Sequence, residues 1–267
     1  MWYDYSMQGL NVHYFWKQYD DIPAGLGFTH FSGTHLAVLA VLGLLIVTAV
    51  YFFGRPGGCT SVTQRRILQG IPLLMVLLEC CKDLFLIRTG HFGVGYLPLH
   101  LCSLGVFVFL LFAASRTERW QTVFSEIAVT LILPGSVAAL LFPDWIHLYP
   151  LWNFMNLHGF IWHGLLVLYP LLLIRGGYVD LSIRHIHYDL IFLLCVVPPV
   201  LVFDRHFNCN YMFVNWPSRG TPLEWIASIT GDKWYLLGYA ALAICVIGLI
   251  YLFIWLLIDR RRIAGGK

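Results

Sequence analysis

Residues 34–53 read THLAVLAVLGLLIVTAVYFF, a run whose only ionisable side chain apart from Tyr51 is His35. A bilayer core of about 30 Å requires about 20 apolar residues in a helix, so this stretch predicts a membrane-spanning helix. Comparable segments follow at residues 67–87, 97–114, 122–142, 154–174, 190–203 and 234–258. The sequence therefore predicts an all-α fold, a polytopic membrane bundle of seven transmembrane helices. The sixth segment is short and contains Pro198-Pro199, so we expect it to be broken or kinked near its end.

The composition supports this fold class. Of the 267 residues, 59% are hydrophobic and only 12% are charged, whereas soluble domains carry about 25% charged residues. A net charge of +3 is too small to indicate binding to nucleic acid. Most cysteines lie inside the apolar segments and no CxxC pair occurs. A disulfide framework or a zinc knuckle is therefore not expected.

The distribution of Lys and Arg predicts the orientation. With the N-terminus outside, eleven of these residues fall on the cytoplasmic side and five on the outer side, as the positive-inside rule requires. We expect residues 1–33 to form an aromatic-rich interfacial segment and residues 34–258 to form the membrane domain. Within that domain, residues 204–233 would form an outer cap loop. Residues 259–267 would form a basic cytoplasmic tail, and the plasma membrane of a bacterium is the expected location.

Ionisable side chains inside the predicted spans are candidates for function because each is costly to insert. Glu79, Lys82 and Asp83 share one stripe of the second helix. Four histidines add to them, namely His35, His100, His158 and His163. On the predicted topology all of these fall in the outer halves of their helices, on the same side as Asn210 and Tyr211 of the cap loop. The alternative is an ion cluster that neutralises itself and hydrogen-bonded histidines that only fix packing.

No metal or cofactor is assigned from these residues. His158 and His163 are five residues apart, about 140° around the helix, so they do not form a two-histidine metal pair on one face. A three-histidine zinc site built from His35, His100 and His163 stays open as an alternative. Glu126 lies in the inner part of the fourth segment and is interpreted as structural.

Cys102 and Ser103 are candidate nucleophiles on the third helix. Cys102 lies about 200° around the helix from His100, so its base would have to come from another helix, with His163 the obvious choice. Ser103 shares the face of His100. The alternative for Cys102 is a small buried hydrophobic side chain.

Several runs resemble the YwaF-like bacterial membrane proteins, which belong with the animal transmembrane-protein-164 family. They are Phe31-Ser32-Gly33-Thr34-His35-Leu36, Leu97-Pro98-Leu99-His100-Leu101-Cys102, Leu141-Phe142-Pro143-Asp144, Phe160-Ile161-Trp162-His163, Asn210-Tyr211-Met212-Phe213 and Trp234-Tyr235. The resemblance covers residues 31–258. It implies an enzyme that moves fatty acyl chains between phospholipids, distantly akin to lipid hydrolases that use Thr and His. The animal pattern reads Pro-Cys-His; here Leu99 occupies the cysteine position, so the resemblance carries over His100 but not the acyl carrier.

We therefore predict a lipid-modifying enzyme that transfers or hydrolyses acyl groups of phospholipid-like substrates at the outer leaflet, with membrane lipids as its partners. His100 or His163 would act as general base, and Glu79 or Asp83 would orient an imidazole. The remaining candidates would bind substrate or donate to an oxyanion: His35, Ser103, His158, Asn210 and Tyr211. The runner-up hypothesis is a transporter or binding protein for a small molecule or lipid that uses the same polar layer. The sequence does not indicate an oligomeric state.

Overall fold

The computed structural model describes residues 12–54 and 60–256. The described residues form helices joined by turns and contain no β-strand, which confirms the all-α prediction. The helices are α1 (Gly33–Phe53), α2 (Ser61–Arg88), α3 (Leu101–Ala114), α4 (Glu118–Ile127), α5 (Leu133–Leu141), α6 (Phe154–Arg175), α7 (Ile186–Phe207), α8 (Pro222–Thr230) and α9 (Tyr235–Ile254). A π-helical turn, Ala128–Ile132, joins α4 to α5 without a break.

Five of these helical stretches are long and apolar enough to cross a membrane. They are Gly33–Phe53, Glu118–Leu141, Phe154–Arg175, Ile183–Phe207 and Tyr235–Ile254. Helix α3 has only 14 residues, and α2 carries Glu79, Lys82 and Asp83 within its 28 residues. The chain is thus a helical membrane protein with at least five candidate spans among its described residues.

Helix α6 is the centre of the bundle, because it packs against α1, α2, α3 and α5. Leu166, Tyr169, Leu172 and Leu173 on α6 are almost completely buried. A Cβ atom at Gly105 of α3 would lie 2.9 Å from side-chain atoms of Leu166. Small residues of this kind let membrane helices approach closely. The polar residues of α6 are therefore held inside the molecule by a tight apolar core.

Helix α7 differs from the prediction made for the sixth segment. It continues through Pro198 and Pro199 and ends only at Phe207, where Asn208 adopts a left-handed conformation with φ 53°. The expected break is absent. Because proline has no N–H, the carbonyl groups of Leu194 and Cys195 lose their usual helical donors without the helix ending.

Four segments gather at one end of the bundle, and we call them the cap: residues 12–32, 89–100, 142–153 and 208–234. The Asn153 side chain donates to the carbonyl oxygens of Tyr14 and Lys17 at 2.8 and 2.9 Å. The backbone N–H of Phe28 donates to the carbonyl of Ile146 at 2.9 Å. The described part of the N-terminal segment therefore packs against the helix-connecting loops. Residues 1–11 and the predicted basic tail, residues 259–267, lie outside the described residues.

Candidate functional site

The charged stripe of α2 forms a compact ion cluster. The Lys82 Nζ lies 2.6 Å from an oxygen of Glu79 and 3.6 Å from an oxygen of Asp83. The side chains of Lys82 and Glu79 are 12% and 16% exposed, respectively, so the contact is partly shielded from solvent. Two carboxylates share one ammonium, which leaves the cluster with one negative charge when all three groups are ionised. Lys82 is thus the group that Glu79 pairs with.

His163 of α6 has a defined hydrogen-bonding state. Its Nδ1 lies 2.8 Å from the carbonyl oxygen of Gly159, one turn earlier. A carbonyl oxygen only accepts, so Nδ1 carries the proton and Nε2 of the neutral ring keeps its lone pair. The ring stacks on Trp145, with centroids 5.0 Å apart. A Cβ atom at Gly159 would lie 2.5 Å from Trp145, so only glycine allows this stack.

His100 takes the complementary tautomer. It precedes the first residue of α3, and its Nδ1 accepts the backbone N–H of Met212 at 3.2 Å. In a neutral ring the proton is then on Nε2. The His100 ring packs edge-on against Tyr211, whose hydroxyl donates to the Val94 carbonyl at 2.6 Å. Two loops of the cap therefore hold His100 as a hydrogen-bond donor.

Helix α2, helix α6 and the residue that precedes α3 bring several of the predicted residues into one cluster. His100 interacts electrostatically with His163, Lys82 and Asp144, and His158 interacts with Lys82 and His163. The His158 ring stacks on Trp162, and its Nε2 is buried without a hydrogen-bond partner among the described residues. We call this cluster the polar pocket and define it as Glu79, Lys82, His100, His158 and His163.

A cleft of about 160 Å³ lies beside the polar pocket, between α2, α3 and α6. Its wall is mostly apolar, with Glu79 and Ser103 as its polar members. The lining residues are Val76, Glu79, Cys80, Pro98, Ser103, Val106, Phe107 and Trp162. A space of this kind suits a hydrocarbon chain whose polar end stays near the pocket.

Cys102 is a free thiol next to this cleft. It is half-buried, packs against the bundle core and interacts electrostatically with Glu79. Its surroundings are the apolar helix packing expected for a small buried side chain. Ser103, one residue later, lines the cleft instead.

His35 lies apart from the polar pocket. Its Nε2 donates to the Leu140 carbonyl at 2.9 Å, and its Nδ1 accepts the Phe31 N–H at 3.0 Å. Both ring nitrogens are therefore occupied, and the residue is fully buried. His35 ties the start of α1 to α5. The three-histidine zinc alternative does not assemble, since the described residues hold no group of three or more His, Cys, Asp or Glu side chains placed to share a metal ion.

Asn210 and Tyr211 build the cap. The Asn210 side chain donates to the Trp216 carbonyl at 3.0 Å and accepts the N–H groups of Asn215 and Trp216, both at 3.1 Å. Tyr211 is 1% exposed and uses its hydroxyl on Val94. These contacts fold the loop that supplies the Met212 N–H to His100. Tyr211 thus contacts His100 of the polar pocket directly, whereas Asn210 acts only by folding the loop.

Sequence reasoning missed Trp145, which positions His163, and a second polar cluster around Glu126 at the opposite end of the bundle. Asp189 of that cluster falls one residue outside the predicted sixth segment, so the rule about polar residues in spans did not include it. Trp145 is an apolar residue in a loop, so the same rule could not identify it either.

Comparison with known proteins identifies a family. The family model described as the TMEM164 family matches residues 30–251, which is most of the 267-residue chain. No curated protein and no solved structure matches the chain. The matched region includes every member of the polar pocket.

Proposed function

The chain belongs to the TMEM164 family, and we propose that it is a membrane enzyme that transfers or hydrolyses acyl groups of phospholipid-like substrates. One observation carries the proposal: His163 and His100 interact electrostatically, and their hydrogen bonds leave an Nε2 lone pair on His163 and an Nε2–H on His100. Acyl transfer requires a general base that takes the proton of the nucleophile and a hydrogen-bond donor that stabilises the developing oxyanion.

His163 is the general base of the proposed reaction. Its Nε2 takes the proton of an attacking hydroxyl, from water or from an acceptor lipid, as the new C–O bond forms at the ester carbonyl. The bond to the leaving alkoxide then breaks, and the imidazolium of His163 returns the proton to that oxygen. The Gly159 carbonyl and the Trp145 ring hold the imidazole in place throughout.

His100 and Lys82 stabilise the charge that develops on the ester oxygen. The His100 Nε2–H and the Lys82 ammonium are both donors in a partly buried site, where such contacts count most. Glu79 holds the Lys82 ammonium in position through their 2.6 Å contact. The cleft between α2, α3 and α6 would hold one acyl chain, and Ser103 or Cys102 beside it are the candidates for a covalent acyl carrier.

The proposal includes the topology. Seven helical stretches cross the membrane in this topology: the five candidate spans, α2 and the short helix α3. The N-terminus and the cap lie outside. Support comes from the sequence, in which Lys and Arg are more frequent in the segments predicted to be cytoplasmic than in those predicted to be outside. At 1.5 Å per residue, α2 is about 42 Å long and spans a bilayer with tilt. The polar pocket then lies at the outer leaflet, and the protein is a YwaF-like protein of the bacterial plasma membrane.

Transport is the second candidate, and α7 carries the observation that favours it. Asp189 and Asp204 are both fully buried, one on each side of Pro198-Pro199, and neither carboxylate has a close hydrogen-bond partner among the described residues. Membrane helices that contain internal prolines and buried carboxylates occur in transporters.

Lipid mass spectrometry of cells with and without the gene separates the two candidates. For an acyl-handling enzyme, we expect the acyl composition of a phospholipid class to change on deletion and to return with the wild-type gene but not with His163→Ala at equal protein abundance. An unchanged acyl composition would contradict the enzyme hypothesis and leave transport as the remaining candidate function.

A further inference from the structure

A second polar cluster lies at the end of the bundle opposite the cap. Its members come from five elements: Glu126 from α4, Thr130 from the π-helical turn, His185 from the turn before α7, Asp189 from α7, and Tyr251 from α9. Glu126 and Asp189 are both 0% exposed. Both carboxylates are thus enclosed, and neither contacts a lysine or an arginine of the described chain.

Glu126 has partners for both of its oxygens. Oε1 accepts the Tyr251 hydroxyl at 3.2 Å, and Oε2 lies 3.1 Å from the Nδ1 of His185. The Glu126 carboxylate is therefore fixed in position by α9 and by the turn before α7.

Asp189 has no hydrogen-bond partner on either oxygen among the described residues. It interacts electrostatically with Glu126, and the hydroxyls of Thr130 and Tyr251 lie beside it. Each hydroxyl has one proton, and both are used elsewhere: Thr130 donates to the Glu126 carbonyl at 2.7 Å, and Tyr251 donates to the Glu126 carboxylate. Glu126 and Asp189 therefore share the protons of only two hydroxyls, and acceptor oxygens outnumber donors around Asp189.

An enclosed pair of carboxylates with so few donors is unfavourable unless a proton or a metal cation neutralises it. We propose that Glu126, Asp189, Thr130 and Tyr251 bind one hard cation. Carboxylate and hydroxyl oxygens are the ligands preferred by Na⁺, Mg²⁺ and Ca²⁺, while the set lacks the thiolates and multiple imidazoles of a zinc site.

The π-helical turn supports this assignment. Turns of this type inside α-helices are frequent at functional sites, and Thr130 lies in the middle of Ala128–Ile132. A bound cation would join α4, α7 and α9 at the end of the bundle away from the polar pocket. The site is thus independent of the proposed acyl chemistry.

The test measures the thermal midpoint of the purified full-length protein in detergent. NaCl, MgCl₂ and CaCl₂ are each compared with choline chloride at matched ionic strength. We expect at least one of the three cations to raise the midpoint by about 3–6 °C at a tenfold excess over its Kd. Asp189→Asn should abolish this rise and should itself raise the midpoint in choline chloride, because it removes an unpaired buried carboxylate.

Asp204→Asn is the matched control. Asp204 is also fully buried on α7, and its carboxylate has no close partner in the described part of the chain, but it lies at the cap end. Its variant should therefore keep the full cation response. Equal midpoints of the wild type in all salts would overturn the proposal, since Asp189 would then be neutralised by a proton. A response retained in Asp189→Asn would overturn it as well.

Discussion

Trp145 stacks on His163 with the two ring centroids 5.0 Å apart and the planes inclined by only 14°. Trp145 belongs to the loop between α5 and α6, whereas His163 lies two turns inside α6. The cap therefore reaches into the helix bundle and sets the orientation of the proposed base. The absence of a side chain at Gly159 makes this possible.

Gly159→Ala should disturb this stack. The new Cβ would lie 2.5 Å from Trp145, so the indole must shift and release His163. We expect a loss of about 1–3 kcal/mol of stability from overpacking and a loss of acyl-handling activity of about 100-fold, because the base is misplaced. Gly43→Ala in α1 is the control, since nothing lies within 4 Å of its Cβ position. Equal activity of both variants would show that the stack does not position a base.

His163→Ala and His35→Ala should have opposite effects. His163 uses only one nitrogen, on its own helix, so its loss should reduce activity by about 10²–10⁴-fold with a minor change in abundance. His35→Ala strands the Leu140 carbonyl and the Phe31 N–H. It should cost about 1–3 kcal/mol of stability. Activity per folded molecule and thermal midpoints check both variants, and a stable, inactive His35→Ala protein would contradict the assignment.

The N-terminal segment should be held to the cap in a pH-dependent way. His91 Nε2 lies 2.8 Å from a carboxylate oxygen of Asp20. This hydrogen bond raises the pKa of His91 above its usual 6.5 and lowers the pKa of Asp20 below its usual 3.8. The stabilisation by His91 is therefore complete below pH 6.5 and is lost as the pH rises through its raised pKa. The stabilisation by Asp20 is lost as the pH falls through its lowered pKa.

We consequently expect the contact to be strongest between about pH 4 and pH 6.5. The protection of the backbone amides of residues 12–22, measured as the ratio of intrinsic to observed hydrogen-exchange rates at each pH, should be highest in this window and lower on either side. His91→Ala should remove the dependence above pH 6.5 and leave other parts of the cap unaffected. A wild-type profile that matches that of His91→Ala would show that the pair does not hold the segment.

Cysteine labelling tests the proposed orientation. Cys209 lies in the cap but is only 9% exposed, so it is a poor reporter. Asp232 is exposed in the cap, and Val62 is 58% exposed at the other end of the bundle. In intact cells a membrane-impermeant maleimide should label Asp232→Cys above the parent background and should not label Val62→Cys. The reverse pattern would place the polar pocket at the inner leaflet.

The sequence predicted the helices well because the apolar runs are long and bounded by polar residues. Residues 34–53 were expected as a span, and α1 is Gly33–Phe53. The predicted segment 190–203 is shorter than α7, which runs from Ile186 to Phe207 and continues through Pro198-Pro199 without the expected break. In a membrane helix, local adjustments and neighbouring helices compensate for the lost hydrogen bonds.

The polar pocket could be predicted in outline only. The cost of ionisable groups in a membrane identified Glu79, His100 and His163, and topology placed them at one end. The state of each imidazole could not be predicted, because it depends on loop backbone: Met212, with φ 53°, turns its N–H towards His100. Asp189 was missed because a carboxylate just outside an apolar run looks like an ordinary helix end.

The most direct test of the central claim uses the purified protein in vesicles that contain a phospholipid with an isotope-labelled acyl chain and an unlabelled lysophospholipid. Mass spectrometry follows the label over time. We predict that the wild-type protein moves the label to the lysophospholipid or to free fatty acid, and that His163→Ala does so at least 100-fold more slowly. A wild-type protein that leaves all label on the original phospholipid, or a His163→Ala protein as fast as the wild type, would contradict the account.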